Sequence, residues 1–399
     1  MDEETGATIF RNPEGDDSTV ILGKGLTVRN STVSTRESMD KVRGRAHSRA
    51  EETLKDFVYP VSALGAVQDF PINLTIHSLR NLKHLVDGSH SNIFKGGFGD
   101  ADVIVKTIRQ RSMSNKVALQ EYKIETELLS RMSHTNVVKM LGMGKFVARN
   151  GRERPFLVLE KLEGGTLQYL LSRKNFNTLI GRPYLSTKRC VEIIYQLVRA
   201  VQYLHEDFHS DAVLIHRDLK PDNIAFTTTG TLKVIDFGLC TSVPRVFGKT
   251  CSTYKMTGNT GSLRYMAPEV ARNEEYSEKV DIYSIAIILW QMLTGKLPYA
   301  SMTREDHQRR VCVERERPFV HDSIDSTLKE ILAQSWSPTD ELRPKASELA
   351  ARLGAFMNAS PPEGCLSRLS CCVNGKPEER ASLMNGSPVE SDAEDCKTK

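Results

Sequence analysis

Residues 215–223 read Ile-His-Arg-Asp-Leu-Lys-Pro-Asp-Asn, and residues 232–240 read Leu-Lys-Val-Ile-Asp-Phe-Gly-Leu-Cys. The first stretch has the composition of a polar loop, and the second begins as a short strand that ends at a carboxylate. Asp218 and Lys220 in the loop, together with Asp236 after the strand, offer carboxylate and ammonium groups. Groups of this kind can hold a metal-bound phosphate beside a hydroxyl nucleophile.

Both stretches match elements of a known sequence signature, H-R-D-L-x-x-x-N and D-F-G. Two further elements occur in the order of that signature: Lys106 ends a Val-Ile-Val-Lys string, and Ala-Pro-Glu occupies 267–269. A single three-letter match arises easily by chance in a long chain, whereas several matches in the family order do not. The chain from about 81 to 356 therefore resembles a eukaryotic protein kinase.

The resemblance implies an α+β, two-lobed protein kinase fold. Its small N-lobe would be β-rich with one main helix, and its larger C-lobe would be helical. The flanks are rich in polar residues and lack a sustained apolar period, so most of them should be disordered. The expected ranges are 1–69 for the disordered N-terminal region, 70–357 for the kinase domain (N-lobe about 81–159, hinge 160–165, C-lobe 166–357) and 358–399 for a disordered, cysteine-containing tail.

Composition excludes several other classes. The chain has 54 basic and 50 acidic residues and a net charge of +4, which gives no reason to expect a nucleic-acid partner. No apolar run approaches the roughly 18 residues of a membrane span, and the acidic N-terminus has no secretory signal. We expect an intracellular, cytoplasmic protein, with the nucleus and a peripheral membrane as alternatives. Cys365, Cys371 and Cys372 could be S-acylated, although such clusters are more often not lipid anchors.

The resemblance assigns five residues to phosphoryl transfer from ATP. Asp218 would accept or orient the proton of the substrate hydroxyl, and Lys220 would stabilise the γ-phosphoryl group as charge moves. Asn223 and Asp236 would hold Mg²⁺, an ion that prefers oxygen ligands. Lys106 would bind the α and β phosphates and pair with a glutamate from a helix.

The glutamate that pairs with the lysine should lie on the helix after the third strand. This stretch has apolar residues at helical spacing, with Ser114 or Asn115 as N-cap. Glu125 lies nine residues before His134, which is the family spacing for the partner. Glu121, one turn earlier, is the alternative, and we favour Glu125.

The glycine-rich loop is the main departure from the family pattern. The glycines of 96–99 lie too close to the third-strand lysine to leave room for a strand, a turn and a second strand. With Ile93 as the residue that covers adenine, Val86, Gly88 and Ser91 occupy the three glycine positions, so only the middle glycine remains. Glycine permits close approach of backbone amides to phosphate and positive φ, so its loss predicts weaker nucleotide binding.

The resemblance also places the residues around adenine. Leu159 falls at the gatekeeper position, and Glu160 and Leu162 should present backbone groups to the base. Ile104 occupies the ceiling position, where the family usually has alanine, and Ala225 the floor position, where the family usually has a larger residue. We hypothesise that the two changes conserve volume and shift the adenine slot toward Ala225.

The acceptor class follows from two positions. Lys220, two residues after Asp218, and Ser262 in Gly-Ser-Leu-Arg-Tyr resemble serine/threonine kinases, in which the hydroxyl bridges that aspartate and lysine. The sequence is closest in character to the tyrosine-kinase-like branch. We expect a kinase that acts on protein substrates in intracellular signalling, and the alternative is a catalytically weak or inactive pseudokinase that acts as a scaffold or regulatory binding module.

A regulatory site is expected in the segment from Asp236 to Glu269. It carries several hydroxyl residues, and a phosphate opposite Arg217 would order the segment through charge-assisted hydrogen bonds. Thr257 lies nearest the usual family position, with Thr260 second.

Three further contacts are expected outside the site. Asp281, at the start of an apolar helix, resembles the buried anchor of the catalytic loop. Arg343 should pair with Glu269 in a buried bridge. Residues 70–79 should form an extended lead-in that packs on the first lobe.

Overall fold

The computed structural model describes residues 64, 67–148, 151–172, 185–245 and 253–359. The expectations for 1–63 and for the tail from 360 onward, including its cysteines, lie outside these residues. Within the described ranges no helix is both long and apolar enough to cross a membrane.

The N-lobe is built on a five-stranded antiparallel sheet in the order β1-β2-β3-β5-β4. A three-residue turn joins the first two strands, and a Gly-Asp turn joins the next two. In the second turn Gly99 has φ +56°, a conformation that glycine adopts without strain. The glycines of 96–99 therefore belong to β2 and its turn. The strands are β1 Leu79–Asp87, β2 Ser91–Phe98, β3 Ala101–Ile108, β4 Met140–Val147 and β5 Glu153–Glu160.

One helix, α1 (Lys116–Leu129), packs against this sheet. Asn115 is its N-cap, and the Asn115 side chain accepts hydrogen bonds from the backbone N–H groups of Val117 and Ala118. Its buried face carries Leu128, Leu129 and one carboxylate, Glu125. A buried carboxylate on this face must have a cationic partner.

The C-lobe is helical and is centred on one helix, α5 (Lys279–Thr294). Every side chain of this helix from Lys279 to Leu293 is buried. The helix ends at Gly295, which has φ +65°, a common helix terminator. Helix α8 continues two residues past the expected boundary at 357. The helices are α2 Leu167–Ser172, α3 Thr187–Gln202, α4 Pro268–Ala271, α5 Lys279–Thr294, α6 Arg304–Asp306, α7 Ser326–Ser335 and α8 Ala346–Ala359. The predicted two-lobed α+β fold is confirmed.

Four short strands carry the catalytic stretches at the edge of the C-lobe. β6 (Ala212–Ile215) pairs with β9 (Thr241–Pro244), and β7 (Ile224–Phe226) pairs with β8 (Leu232–Val234), each pair antiparallel. The loop between β6 and β7 and the turn after β8 therefore emerge side by side. This arrangement brings residues 215–223 and 232–240 into contact.

Asp281 fixes the loop after β6 to the centre of the C-lobe. Its carboxylate accepts hydrogen bonds from the backbone N–H groups of His216 (2.8 Å) and Arg217 (2.9 Å) and contacts the His205 ring (2.9 Å). Burial alone would raise the pKa of Asp281, but these donors lower it below the usual value. Arg217 has φ +68°, an unfavourable conformation that these bonds help to hold.

A second buried ion pair closes the C-lobe. Arg343, with 1% of its surface exposed, donates to both carboxylate oxygens of Glu269, at 2.6 and 3.0 Å. The guanidinium also lies over the Tyr283 ring and donates to the carbonyl oxygens of Ser337 and Lys279. The bridge expected from the sequence is therefore part of a larger buried network.

Replacing Arg343 with methionine should lower the free energy of unfolding by about 3–5 kcal/mol, because Glu269 would remain as a buried, uncompensated charge. Urea unfolding measures the change. Arg309→Met is the matched control, since Arg309 pairs with Glu314 while 60% of its side chain is exposed, and exposed pairs contribute little. A loss for Arg343→Met no larger than the loss for Arg309→Met would contradict the importance of the bridge.

Candidate active site

Lys106 joins the sheet, the helix and the turn after β8. Its Nζ lies 2.7 Å from a carboxylate oxygen of Glu125 and 3.4 Å from Oδ1 of Asp236. Both Lys106 and Glu125 are largely enclosed, with 14% and 2% of their side chains exposed. The carboxylate in contact with the lysine is thus that of Glu125 and not that of Glu121.

The charges in this cluster are strongly coupled. Burial raises the pKa of Glu125 to about 7, although Lys106 opposes the shift. Burial would lower the pKa of Lys106, but Asp236 and Glu125 together raise it. Partial burial would raise the pKa of Asp236, whose side chain is 46% exposed, but Lys106 and the Gly238 N–H lower it. A charged lysine beside ionised Asp236 suits a site for phosphate and a cation.

Asp218 lies at the centre of a second cluster, in the loop between β6 and β7. Its Oδ2 is 3.1 Å from Lys220 Nζ, and its Oδ1 accepts a hydrogen bond from the backbone N–H of Ser262 at 2.9 Å. Lys220 in turn donates to the Ser262 hydroxyl at 2.8 Å. The sequence predicted that the Ser262 hydroxyl would contact both Asp218 and Lys220. In the structure the hydroxyl contacts only Lys220, and the backbone N–H of Ser262 makes the contact with Asp218.

Asn223 is oriented by the same aspartate. Its Nδ2 donates to the backbone oxygen of Asp218 at 2.9 Å and to Oδ2 of that residue at 3.1 Å. Because the amide nitrogen is engaged, the Asn223 side-chain oxygen remains as an acceptor. The rings of His216 and Phe237 pack edge to face at 5.3 Å, and both residues are buried.

The β1–β2 turn lies where the degenerate glycine-rich loop was predicted. Gly88 donates its backbone N–H to the Ser91 carbonyl at 2.8 Å. Its φ is not in the left-handed region, so positive φ is not what the glycine provides in this turn. A Cβ at Gly88 would lie 2.9 Å from the Ser91 hydroxyl. The glycine therefore provides room beside Ser91, and Val86 is 54% exposed at the end of β1.

Three contacts that no sequence pattern predicted fix this turn to the link after β3. Asp87 forms an ion pair with Arg109, and the His90 ring contacts the Ser112 hydroxyl at 3.2 Å. The Arg109 N–H also donates to the His90 carbonyl at 2.8 Å. These pairs follow no periodic pattern, so nothing in the sequence marked them.

Four of the positions assigned to adenine lie on four different strands. Ile93 on β2 is the sheet partner of Lys106, and Ile104 on β3 is the partner of Leu159 on β5. Leu159 is 5% exposed and Ala225 is 4% exposed, whereas Ile104 is half-buried. The volume compensation between Ile104 and Ala225 stays a prediction.

The hinge begins where β5 ends. The Glu160 side chain accepts a hydrogen bond from the Lys139 N–H at 2.7 Å and pairs with Lys233 at 2.7 Å. The carboxylate is therefore occupied by protein groups. Leu162 is half-buried, and Gly165, with φ +74°, turns the chain toward α2.

Arg217 reaches the segment expected to be regulatory. Its Nη1 donates to the Thr257 hydroxyl at 2.9 Å, and its Nε donates to the Leu239 carbonyl at 2.7 Å. The Thr260 hydroxyl donates to the Thr257 carbonyl at 3.0 Å, and Thr257 is exposed. Of the two candidates, Thr257 is the one in contact with the arginine. Two other hydroxyl residues of this segment, Thr250 and Ser252, lie outside the described residues.

The sequence pattern of the family described as "Protein kinase domain" matches residues 79–385. The match covers most of the chain, and the chain belongs to the protein kinase family. Protein kinase domains in general use ATP and a divalent metal ion.

Individual relatives agree with this assignment. The chain is 31% identical to "Serine/threonine-protein kinase VIK" of Arabidopsis thaliana over 69% of its own length and 59% of that protein. It is 31% identical to "Serine/threonine/tyrosine-protein kinase HT1" of the same organism, over 67% and 64%. It is 28% identical to "Dual specificity protein kinase shkB" of Dictyostelium discoideum, over 67% and 38%. The chain thus spans less than two thirds of each of these relatives.

The Lys106 contact generates a prediction about the two helix glutamates. Glu125→Gln should weaken nucleotide binding in the presence of a divalent ion by about tenfold, because hydrogen bonds to charged groups contribute ~1.5–3 kcal/mol. Glu121→Gln, on the same helix but without the lysine contact, is the matched control. Calorimetric titration measures both affinities, and equal losses in the two variants would show that Glu125 is not the specific partner.

Proposed function

We propose that this chain is an ATP- and Mg²⁺-dependent protein serine/threonine kinase. It transfers the γ-phosphoryl group of ATP to serine or threonine hydroxyls of protein substrates in intracellular signalling. The observation that carries the proposal is the convergence of two clusters, one around Lys106 and one around Asp218. Each side chain in them has a partner that fixes its direction.

The donor groups fit a magnesium ion that is shared with phosphate. Asn223 and Asp236 offer oxygens, and among the described residues no group of three or more His, Cys, Asp or Glu could hold a metal by itself. Mg²⁺ commonly takes one or two protein oxygens and completes its octahedron with waters and substrate phosphates. When bound, the ion would neutralise negative charge on the phosphates of ATP.

The protein side chains supply positioning and charge. Lys106, held by Glu125, binds the α and β phosphates. Asp218, held by the Ser262 amide, accepts or orients the proton of the acceptor hydroxyl, and Lys220 stabilises charge on the transferred group. Phosphoryl transfer needs little covalent chemistry from the protein, so fixed geometry is what the site must provide.

The acceptor class rests on Lys220 and Ser262. Their 2.8 Å hydrogen bond is the contact that the serine/threonine pattern requires. The names of two relatives include tyrosine or dual specificity, so a peptide with a tyrosine acceptor is the appropriate comparison substrate.

A pseudokinase that acts as a scaffold is the second candidate function. The observation that favours it is the β1–β2 turn, which keeps only Gly88 of the usual glycines and uses its N–H internally. Nucleotide titration with and without Mg²⁺ separates the two candidates, because a scaffold of this kind would show no Mg²⁺-dependent binding.

Asp218→Asn should abolish phosphoryl transfer while leaving the fold intact, because the amide cannot accept the hydroxyl proton. Transfer of labelled phosphate from ATP to a generic protein measures the effect. Asp211→Asn, an exposed position before β6, is the control and should keep wild-type activity. Full ATP-dependent activity in purified Asp218→Asn would show that the catalytic assignment is wrong.

Phosphorylation of Thr257 should raise activity, because a phosphate there would form charge-assisted hydrogen bonds to Arg217. Thr257→Ala should prevent this activation, and Thr260→Ala, which removes a hydroxyl without an arginine contact, is the control. Activity is compared before and after phosphatase treatment, with modification followed by mass spectrometry. A fully active preparation in which the segment is unmodified would refute the proposal.

A further inference from the structure

A segment that precedes the residues matched by the family packs against strand β4 and the end of helix α1 in the N-lobe. The match begins at residue 79, whereas the described chain begins with Leu64 and continues from Val67. We call Leu64 together with residues 67–74 the strap. It makes three separate sets of contacts, at the edge strand β4, at the end of helix α1 and in the core.

The strap covers the open edge of the sheet. β4 is the last strand in the order β1-β2-β3-β5-β4, and its free side would otherwise present unpaired backbone groups. Leu74 donates its N–H to the Met143 carbonyl at 3.0 Å and accepts from the Lys145 N–H at 3.2 Å. The Met143 N–H donates to the Pro71 carbonyl at 3.1 Å. The strap thus forms one isolated parallel bridge with β4, at Leu74 and Gly144.

Two glycines of β4 provide the space for this pairing. A Cβ at Gly144 would overlap the backbone carbonyl of Leu74, and a Cβ at Gly142 would lie 2.7 Å from the Leu74 side chain. Neither glycine has φ in the left-handed region, so backbone conformation does not explain them. Glycine in a strand is otherwise unfavourable. Gly142 therefore makes room for the strap, and Gly144 makes room for both the strap and the Phe156 ring.

The other end of the strap holds the C-terminal end of α1. The Gln68 N–H donates to the carbonyl of Ser130, the C-cap of the helix, at 2.8 Å, and its side-chain amide donates to the Met132 carbonyl. Carbonyls at a helix end lack partners within the helix, and Gln68 satisfies two in this region. Leu64 is 1% exposed and belongs to the same buried cluster as Leu128, Leu129 and Met132.

We propose that the strap is a positioning element that holds α1 against the sheet so that Glu125 stays on Lys106, with Gln68 as its main positioning residue. The proposal rests on the proposed kinase function for its catalytic consequence. Ser130 lies five residues after Glu125, or roughly 7.5 Å along the helix axis. A rigid helix fixed at Ser130 and packed on β3 therefore cannot swing Glu125 away from the lysine.

The test compares full-length chains that differ at Gln68. Gln68→Glu keeps the side-chain length but removes the donor to Met132, and Asp69→Asn, at the adjacent exposed position, is the matched control. Amide hydrogen exchange in residues 116–130 should become about fivefold faster in Gln68→Glu, the change expected from loss of one hydrogen bond. Exchange in α5 should stay unchanged in both variants.

Gly142→Ala provides an independent second variant, since its methyl group would meet Leu74 and Pro71 of the strap and would not touch Gln68. It should speed exchange in residues 116–130 in the same way. Both variants should lower kcat severalfold with a smaller effect on the KM for peptide substrate. Exchange in residues 116–130 that matches the wild type in folded Gln68→Glu would overturn the proposal, as would an equal rise in α5, which would indicate general destabilisation.

The exchange measurement does not depend on activity. If the wild-type chain transferred no phosphate while Gln68→Glu loosened α1, the proposed function would fail and the positioning role would stand. If the wild type were active and Gln68→Glu changed neither exchange nor kcat, the positioning role alone would fail.

Discussion

The site depends on one buried carboxylate, that of Asp281. It has no exposed surface and accepts hydrogen bonds from two consecutive backbone amides of the loop that carries Asp218. A buried carboxylate is tolerated only when donors surround it, so loop and helix require each other. Because α5 is buried along its length, these hydrogen bonds fix the loop between β6 and β7 to the C-lobe core. Asp218, Lys220 and Asn223 are thereby presented from a fixed base.

The second half of the site is held differently. Lys106 lies on strand β3, Glu125 on helix α1 and Asp236 in the turn after β8. The contacts of Lys106 with the two carboxylates hold these three elements together. Two carboxylates share one ammonium group in a partly enclosed place, and after burial the charge of Asp236 is a further cause that raises the pKa of Glu125. A divalent cation near Asp236 would offset that charge, which links metal binding to the geometry of the lysine.

Much of this could be predicted from the sequence because the chemistry demands particular residue types at fixed spacing. Asp281, Arg343 and the choice of Glu125 over Glu121 are of this kind, as each matches a pattern in which the partner is also specified. The contacts of Gln68 with α1 and of His90 with Ser112 could not be predicted. They join positions far apart in the chain through generic polar groups, and no period or motif distinguishes them from solvated surface residues.

The loss of two of the three glycines from the glycine-rich loop has a physical consequence for nucleotide binding. In a loop with all its glycines, free backbone amides can approach phosphate oxygens closely. Here the Gly88 N–H is already bonded to Ser91, and the turn is tied to the β3–α1 link through Asp87 and His90. The turn is therefore preorganised but has one fewer amide to offer. Under the proposed kinase function, attraction for the phosphates would come to a larger extent from Lys106 and from a cation held by Asp236, so the elements that hold α1 in place would matter more in this chain than the loop itself.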